Sequence, residues 1–234
     1  MNIGIIPARG GSKRIPGKNI KPFAGKPIVA WVIEAALASG LFDRLIVSTD
    51  DKKIAEVVTE YGAEVPFMRP AELSDDHTGI IEVVQHAIAW LKNEHVEIDN
   101  VCCMLATAPF LRADVLSDAL AQLIDTKASY ALSVTSFPFP IQRAIRINSA
   151  DRVEAMWPEN IALRSQDLEE AFHDAGQFYW GTRRAFERGE PIFSSGSIPI
   201  RLPRYQVQDI DTPEDWKLAE LMFNAMRDAG DLAS

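Results

Sequence analysis

Ile3-Gly4-Ile5-Ile6-Pro7-Ala8-Arg9-Gly10-Gly11-Ser12-Lys13-Arg14-Ile15-Pro16-Gly17-Lys18-Asn19-Ile20 is the stretch that decides the fold. Its apolar start, Ile3–Ala8, predicts a buried strand. The strand runs straight into two glycines, a hydroxyl and a row of cations. Gly10 and Gly11 would let backbone N–H groups come close to an anion, and Arg9, Lys13, Arg14 and Lys18 would neutralise it. The charge distribution points the same way. The first 33 residues hold six cationic side chains and no acidic one, in a chain of net charge −9. The remainder sets 18 Lys and Arg against 33 Asp and Glu. Such a loop after a buried strand predicts phosphate binding.

Two common phosphate loops are excluded. A Walker A loop needs Ser or Thr after its lysine, and Lys13 is followed by Arg14. The G-x-G-x-x-G spacing of dinucleotide folds is absent. So is Gly-x-Ser-x-Gly, the elbow of serine hydrolases. Four histidines without a Cys-x-x-Cys offer no zinc site.

A length of 234 residues with 47% hydrophobic content suits one α/β domain over 1–234. The acidic balance argues against a nucleic-acid partner. No apolar run approaches membrane-spanning length, and the short apolar start is a strand rather than a signal peptide. Cys102 and Cys103 are adjacent, between Val101 and Met104-Leu105. That setting predicts buried core thiols and a reducing, cytoplasmic location.

Outward from the loop, apolar runs alternate with helical patterns. Strands are predicted at Ile3–Ala8, Arg44–Ser48, Asn100–Leu105 and Tyr130–Thr135. Helices are predicted at Pro27–Ser39, Asp51–Tyr61, Ile80–Lys92 and Ala113–Thr126. This alternation predicts a mostly parallel sheet with helices on both faces. Ligands then gather at the carboxyl ends of the strands. The basic loop, Ser48-Thr49-Asp50 and Thr107-Ala108-Pro109 all belong there. The pattern stops at Phe137-Pro138-Phe139-Pro140, and residues of about 137–170 form an irregular insertion. Gln177–Trp180, Ile198–Leu202 and Tyr205–Ile210 are further extended pieces. Thr212 caps a final helix, Pro213–Met226.

Asp209-Ile210-Asp211 is the metal candidate. Residues two apart in an extended segment share a face, and hard carboxylate oxygens suit Mg²⁺. The alternative makes Asp211 a helix-cap partner and Asp209 a surface residue. Ser48-Thr49-Asp50 and Thr78 each have a helix-capping alternative as well.

The stretch Ile5–Ile20 resembles the nucleotide signature of the cytidylyltransferases that activate sialic-acid-like sugars. The resemblance runs from Ile5 to about Trp216 and takes in Arg69-Pro70-Ala71-Glu72-Leu73, Thr107-Ala108-Pro109-Phe110-Leu111-Arg112 and Asp209-Ile210-Asp211. It implies a Rossmann-like nucleotidyltransferase fold with a small dimerisation insertion and a homodimer. The implied reaction joins CTP and a nonulosonic acid, giving a CMP-sugar and pyrophosphate. Arg9 and Lys18 would hold the triphosphate, with Ala8, Gly11, Ser12 and Lys13 completing the loop. Asn19 would meet the cytosine, and Arg69 and Thr78 the nucleotide. Asp209 and Asp211 would hold Mg²⁺, and the proton would leave to Asp211 or through metal-lowered acidity of the sugar hydroxyl. Thr107, Arg164, His173, Asp174 and Gln177 would face the sugar. Two departures bear on which sugar. Met104-Leu105-Ala106 stand where sialic-acid enzymes carry glutamine, and His173-Asp174-Ala175-Gly176-Gln177 resembles the pseudaminic acid branch. The rivals are N-acetylneuraminic or legionaminic acid as substrate, a catalytically silent nucleotide-binding subunit, and a sugar-1-phosphate nucleotidyltransferase.

Overall fold

The computed structural model describes residues 1–231. Leu232, Ala233 and Ser234, the end of the expected 1–234 domain, lie outside the described residues. The opening strand is β1 (Asn2–Pro7). Ile3 and Ile5 pack on one side of it, Ile6 and Ala8 on the other. That is the pattern of a strand buried on both faces. A short hairpin, β2 (Pro22–Phe23) and β3 (Lys26–Pro27), leads into α1 (Ile28–Ser39). Gly40 ends this helix at φ 64°, a left-handed conformation that glycine adopts without strain. The chain continues through β4 (Arg44–Ser48), α2 (Lys52–Glu60), α3 (Ile80–Asn93), β5 (Asn100–Met104), α4 (Ala113–Thr126) and β6 (Tyr130–Ser136). After the insertion come β9 (Phe172–Thr182), α5 (Arg183–Arg188), β10 (Ser197–Arg201) and α6 (Pro213–Asp228). The insertion itself holds β7 (Ile145–Ile147) and β8 (Val153–Ala155).

The main sheet has the order β10-β6-β9-β5-β1-β4. Strands β4, β1 and β5 are mutually parallel, as are β6 and β10. β9 alone runs antiparallel, wedged between β5 and β6. The mostly parallel sheet expected from the β/α alternation is present. Helices α1, α2 and α4 cover one face, and α3 and α5 the other. A third cluster seats α6 beside the basic loop. There Phe23 meets Trp216 and Phe223 edge to face at 5.5 and 5.3 Å, with Ile15 and Phe110 beside them.

Three elements differ from expectation. β9 is 11 residues long rather than the four of Gln177–Trp180. Its first half carries His173, Asp174 and Gly176, which break the apolar alternation, yet Thr135 pairs with His173 and Val134 with Asp174. The short helix α5 carries four charged residues and has no apolar period of its own. Tyr205–Ile210 is not a regular extended piece. Pro203 turns the chain, and a 3-10 turn at Arg204–Gln206 follows, with Gln206 N donating to the Pro203 carbonyl at 2.9 Å.

In the insertion, the Asn148 side-chain carbonyl accepts from Ala150 N and Arg152 N, each at 3.0 Å, and so fixes the β7–β8 turn. The hairpin leaves Ile145, Ile147 and Val153 exposed. Cys102 and Cys103 are buried free thiols, pushed up in pKa by their burial.

Candidate active site

At the carboxyl ends of β1, β4 and β5 lies a cleft of about 540 Å³. One wall is the basic loop, from Arg9 to Asn19. The opposite wall is the segment from Arg69 to Ile80. Leu105, Ala106 and Thr107 form the floor, and Asp211 closes one end.

The loop is built from the end of β1. Ala8 is buried, and its N–H donates to the Ser48 carbonyl at 2.9 Å. Gly11 is exposed, with open space around its Cα. Gly10 differs. Its N–H donates to Asp50 Oδ1 at 2.9 Å, and an added Cβ would lie 2.7 Å from Asp51 Oδ2. The expectation that both glycines offer N–H groups to an anion is therefore corrected. Gly10 is small so that Asp50 and Asp51 can approach, and its donor is already engaged. Ser12 N closes the turn onto the Gly10 carbonyl at 3.0 Å.

Each of the loop's four cations faces an acceptor across the cleft. Arg9 Nη1 donates to Asp75 O at 2.8 Å and to Asp76 Oδ1 at 2.6 Å. Lys13 Nζ donates to Asp76 Oδ2 at 2.5 Å. Lys13 first, and Arg9 next, pull the Asp76 carboxyl down to about 2. Arg14 Nη2 lies 2.9 Å from Asp211 Oδ1. Lys18 Nζ donates to the Ile210 carbonyl at 2.7 Å and lies 3.4 Å from Asp211 Oδ1. Asn19 is buried, and its Nδ2 donates to the Arg9 carbonyl at 2.9 Å, which fixes the loop's course.

Arg69 is the buried cation of the opposite wall, its side chain 3% exposed. Nε donates to Ser74 Oγ at 3.2 Å, while Nη2 has no hydrogen-bond partner among the described residues. Burial lowers its pKa first, Asp50 opposes that, and Arg9 adds to it. Thr78 does not cap a helix. Its hydroxyl donates to Asp75 Oδ1 at 2.7 Å. Gly79 is the N-cap of α3 and brings no side-chain acceptor, so the first N–H groups of that helix stay open where Thr78, Gly79 and Ile80 form the wall. Nor does Asp50 cap α2. Asp51 does, accepting from Lys53 N at 2.7 Å and Ile54 N at 3.3 Å.

Asp211 lines the cleft, and Asp209 does not line it but lies near enough for the Asp211 charge to act on it. The Asp209 carboxyl is raised, first by the protein that crowds it and then by the Asp211 charge. Two neighbouring carboxylates whose charges oppose each other suit a hard divalent cation. Among the described residues no group of three or more His, Cys, Asp or Glu is placed to hold a metal. The pair would thus supply protein ligands and leave the remaining positions to phosphate oxygens and water, as Mg²⁺ allows.

Of the expected sugar-facing residues, only Thr107 lines the cleft. Gln177 is buried, and its Nε2 donates to the Gln206 carbonyl at 2.7 Å. Asp174 accepts from Gly176 N at 2.8 Å and from the Tyr179 hydroxyl. The Tyr179 phenol is pushed up by burial and by that carboxylate. His173 packs its ring on Phe137 at 4.8 Å. Arg164 is exposed on the insertion and pairs with Asp167 at 2.7 Å. Asp50 belongs to the triplet expected at this edge of the site, but its bond to the Gly10 N–H, the Asp51 cap and the Asp76 clasp carry no signal in the sequence. Each acts across the fold or at a turn beside a more conspicuous neighbour.

A mostly parallel sheet with a cationic, glycine-containing loop after its first strand, an open helix N-terminus opposite and the Asp211 carboxylate at the cleft's end defines a nucleotidyltransferase. A cytidylyltransferase model matches residues 3–215. The chain belongs to the cytidylyltransferase family. Pseudaminic acid cytidylyltransferase of Campylobacter jejuni subsp. jejuni serotype O:2 is 45% identical over 222 residues, covering 95% of this chain and 96% of that protein. CMP-N,N'-diacetyllegionaminic acid synthase of Legionella pneumophila subsp. pneumophila is 31% identical over 234 residues, covering 97% and 98%. Among solved structures, CMP:2-keto-3-deoxy-manno-octonic acid synthetase complexed with CTP superposes with a TM-score of 0.68 at 17% identity, over 96% of this chain and 98% of that one. That likeness establishes the Rossmann-like nucleotidyltransferase fold.

Proposed function

We propose that the protein transfers CMP from CTP to pseudaminic acid, releasing pyrophosphate. The observation that carries this reading is the cleft of four loop cations and Arg69 in a chain 45% identical to a pseudaminic acid cytidylyltransferase over 95% of its length. The sugar's C2 oxygen bonds to the α-phosphorus as the hydroxyl gives up its proton, to Asp211 at the end of the cleft or, with its acidity raised by the cation, to water. The bond from that phosphorus to the β-phosphate bridging oxygen breaks, and the electron pair leaves with pyrophosphate. Such chemistry asks for positioning and charge neutralisation rather than a covalent nucleophile.

Arg9, Lys13 and Lys18 neutralise the triphosphate, with Arg9 and Lys13 exchanging Asp76 for phosphate oxygens. Gly11 and Ser12 bring the loop backbone close. Asn19 holds the loop against the base, and Arg69 and Thr78 hold the nucleotide from the opposite wall. Asp209 and Asp211 would hold Mg²⁺. When bound, the cation supplies charge neutralisation at the α-phosphate and the departing pyrophosphate. Thr107 meets the sugar at the floor, with Leu105 and Ala106 giving that floor apolar character. His173, Asp174, Gln177 and Arg164 shape the sugar side in the assembled enzyme.

The chain acts as one domain whose insertion, at about 137–170, joins two copies in a homodimer. The exposed apolar side chains of β7 and β8 support this. A CTP-fed reaction and two buried thiols suit the cytoplasm. No helix of the described residues is long and apolar enough to cross a membrane.

The test is a pyrophosphate-release screen crossing CTP, UTP, ATP and GTP with pseudaminic, legionaminic and N-acetylneuraminic acids. CTP with pseudaminic acid is expected to lead by at least about a hundredfold in kcat/KM. A lead by another sugar would reassign the substrate, and no turnover with CTP would remove the activity.

A further inference from the structure

The Ser48-Thr49-Asp50 triplet at the end of β4 touches both walls of the cleft. The Ser48 carbonyl accepts from Ala8 N at 2.9 Å, which seats the start of the basic loop. The Thr49 carbonyl accepts from Arg69 N at 2.7 Å, which seats the start of the opposite wall. Asp50 Oδ1 accepts from Gly10 N at 2.9 Å and lies 3.8 Å from Arg69 Nη2. Three consecutive residues therefore fix where the two walls stand relative to each other. Asp50 itself does not line the cleft.

A carboxylate beside a phosphate loop works against anion binding by its charge alone. Its contacts give the compensating reason. The Gly10 N–H is removed from the set that meets the ligand, and the loop backbone is thereby fixed at its first glycine. Opposite, Arg69 is buried with an unpartnered Nη2. At 3.8 Å, Asp50 is near enough to offset the guanidinium charge and too far to consume its hydrogen bond. The donors of Arg69 stay available to a nucleotide.

We infer that Asp50 is a positioning residue for the nucleotide: through Gly10 and Arg69 it sets the two binding walls in register without touching the substrate. The inference rests on the reading of this cleft as a CTP site.

Calorimetric titration of CTP with magnesium into wild type, D50A and D50N separates the two ideas. Wild type that does not bind CTP removes the reading of the cleft. With wild type binding, D50A is expected to bind CTP at least about tenfold more weakly, as one lost charge-assisted contact allows. D50N keeps an oxygen for the Gly10 N–H but no charge opposite Arg69, and is expected to fall between the two. The KM for CTP should rise in parallel, while kcat at saturating CTP and the KM for the sugar stay within about threefold. Unchanged CTP affinity in folded D50A overturns the inference. So does a change that tracks only a lowered Tm, or a failure of both variants to fold, because Asp50 would then be purely structural. D50N equal to wild type overturns the Arg69 half.

Discussion

Lys18 joins two parts of the chain that lie 192 residues apart in sequence, through its bond to the Ile210 carbonyl. Its ammonium also stands near Asp211, so it sits between the basic loop and the acidic pair. Lys18→Ala removes a cation that the proposed function places on the triphosphate, without opening the core. The expected outcome is a loss of about 2–4 kcal/mol in transition-state stabilisation, read from kcat/KM, with a Tm close to wild type. Unchanged kcat/KM in the folded variant would take Lys18 out of the site. Asp76 gives a second prediction at this scale. Its carboxyl is held at about 2 in the folded protein by Lys13 and Arg9, against about 3.9 for a free aspartate. A depressed carboxyl stabilises the fold fully above the unfolded value and loses that contribution as pH falls toward the folded one. The stability gap between wild type and Asp76→Asn should therefore narrow as pH drops from about 4 to about 2. Urea midpoints across that window measure it, and a gap independent of pH would show that the ion pairs do not stabilise the fold. Both partners are solvent-accessible, so the gap itself is small.

The elements are held by close contacts as well as by pattern. Gly181 in β9 is one such point, because an added Cβ would lie 2.5 Å from a Tyr130 ring carbon and 2.7 Å from one of Phe186. Those two rings already meet edge to face at 5.0 Å, so neither can yield freely. Gly181→Ala is expected to destabilise by about 1–3 kcal/mol, seen as a lower urea midpoint with the same slope. A midpoint equal to wild type would mean the strand shifts at no cost. This element also shows what is legible beforehand. Arg44–Ser48 and Ala113–Thr126 are found at their predicted bounds, because a continuous apolar run and a 3.6-residue period are local signals. β9 is legible only in its apolar half. His173 and Asp174 pair with β6 through backbone, and backbone pairing leaves no mark on side-chain type. In the site, the basic loop, Arg69 and Asp211 are legible as chemistry. The Asp76 clasp and the Asp50–Gly10 bond are not, since they link residues 63 to 67 and 40 positions apart.

At the scale of the whole molecule, the insertion is the part least covered by the rest. Ile145, Ile147 and Val153 are 58, 70 and 67% exposed on one hairpin. Burying them between two copies would remove apolar surface that a single chain leaves in water. Wild type is expected to sediment as two chains at micromolar concentration, and Ile147→Lys to shift the boundary toward one chain with little change in Tm. Wild type sedimenting as one chain would rule the homodimer out. The placement of β9 has a different kind of consequence. Among the described residues, the two parallel blocks of the sheet, β4-β1-β5 and β6-β10, are hydrogen-bonded to each other only through this strand. During synthesis from the N-terminus, β5 and β6 are both complete before residue 172 has been added. A nascent chain in which β6 has emerged and β9 has not would hold β5 and β6 with the edges meant for β9 unpaired, each able to accept a strand from another molecule. The pace of translation from the emergence of β6 to the emergence of β9 thus sets how long those edges wait for their own strand.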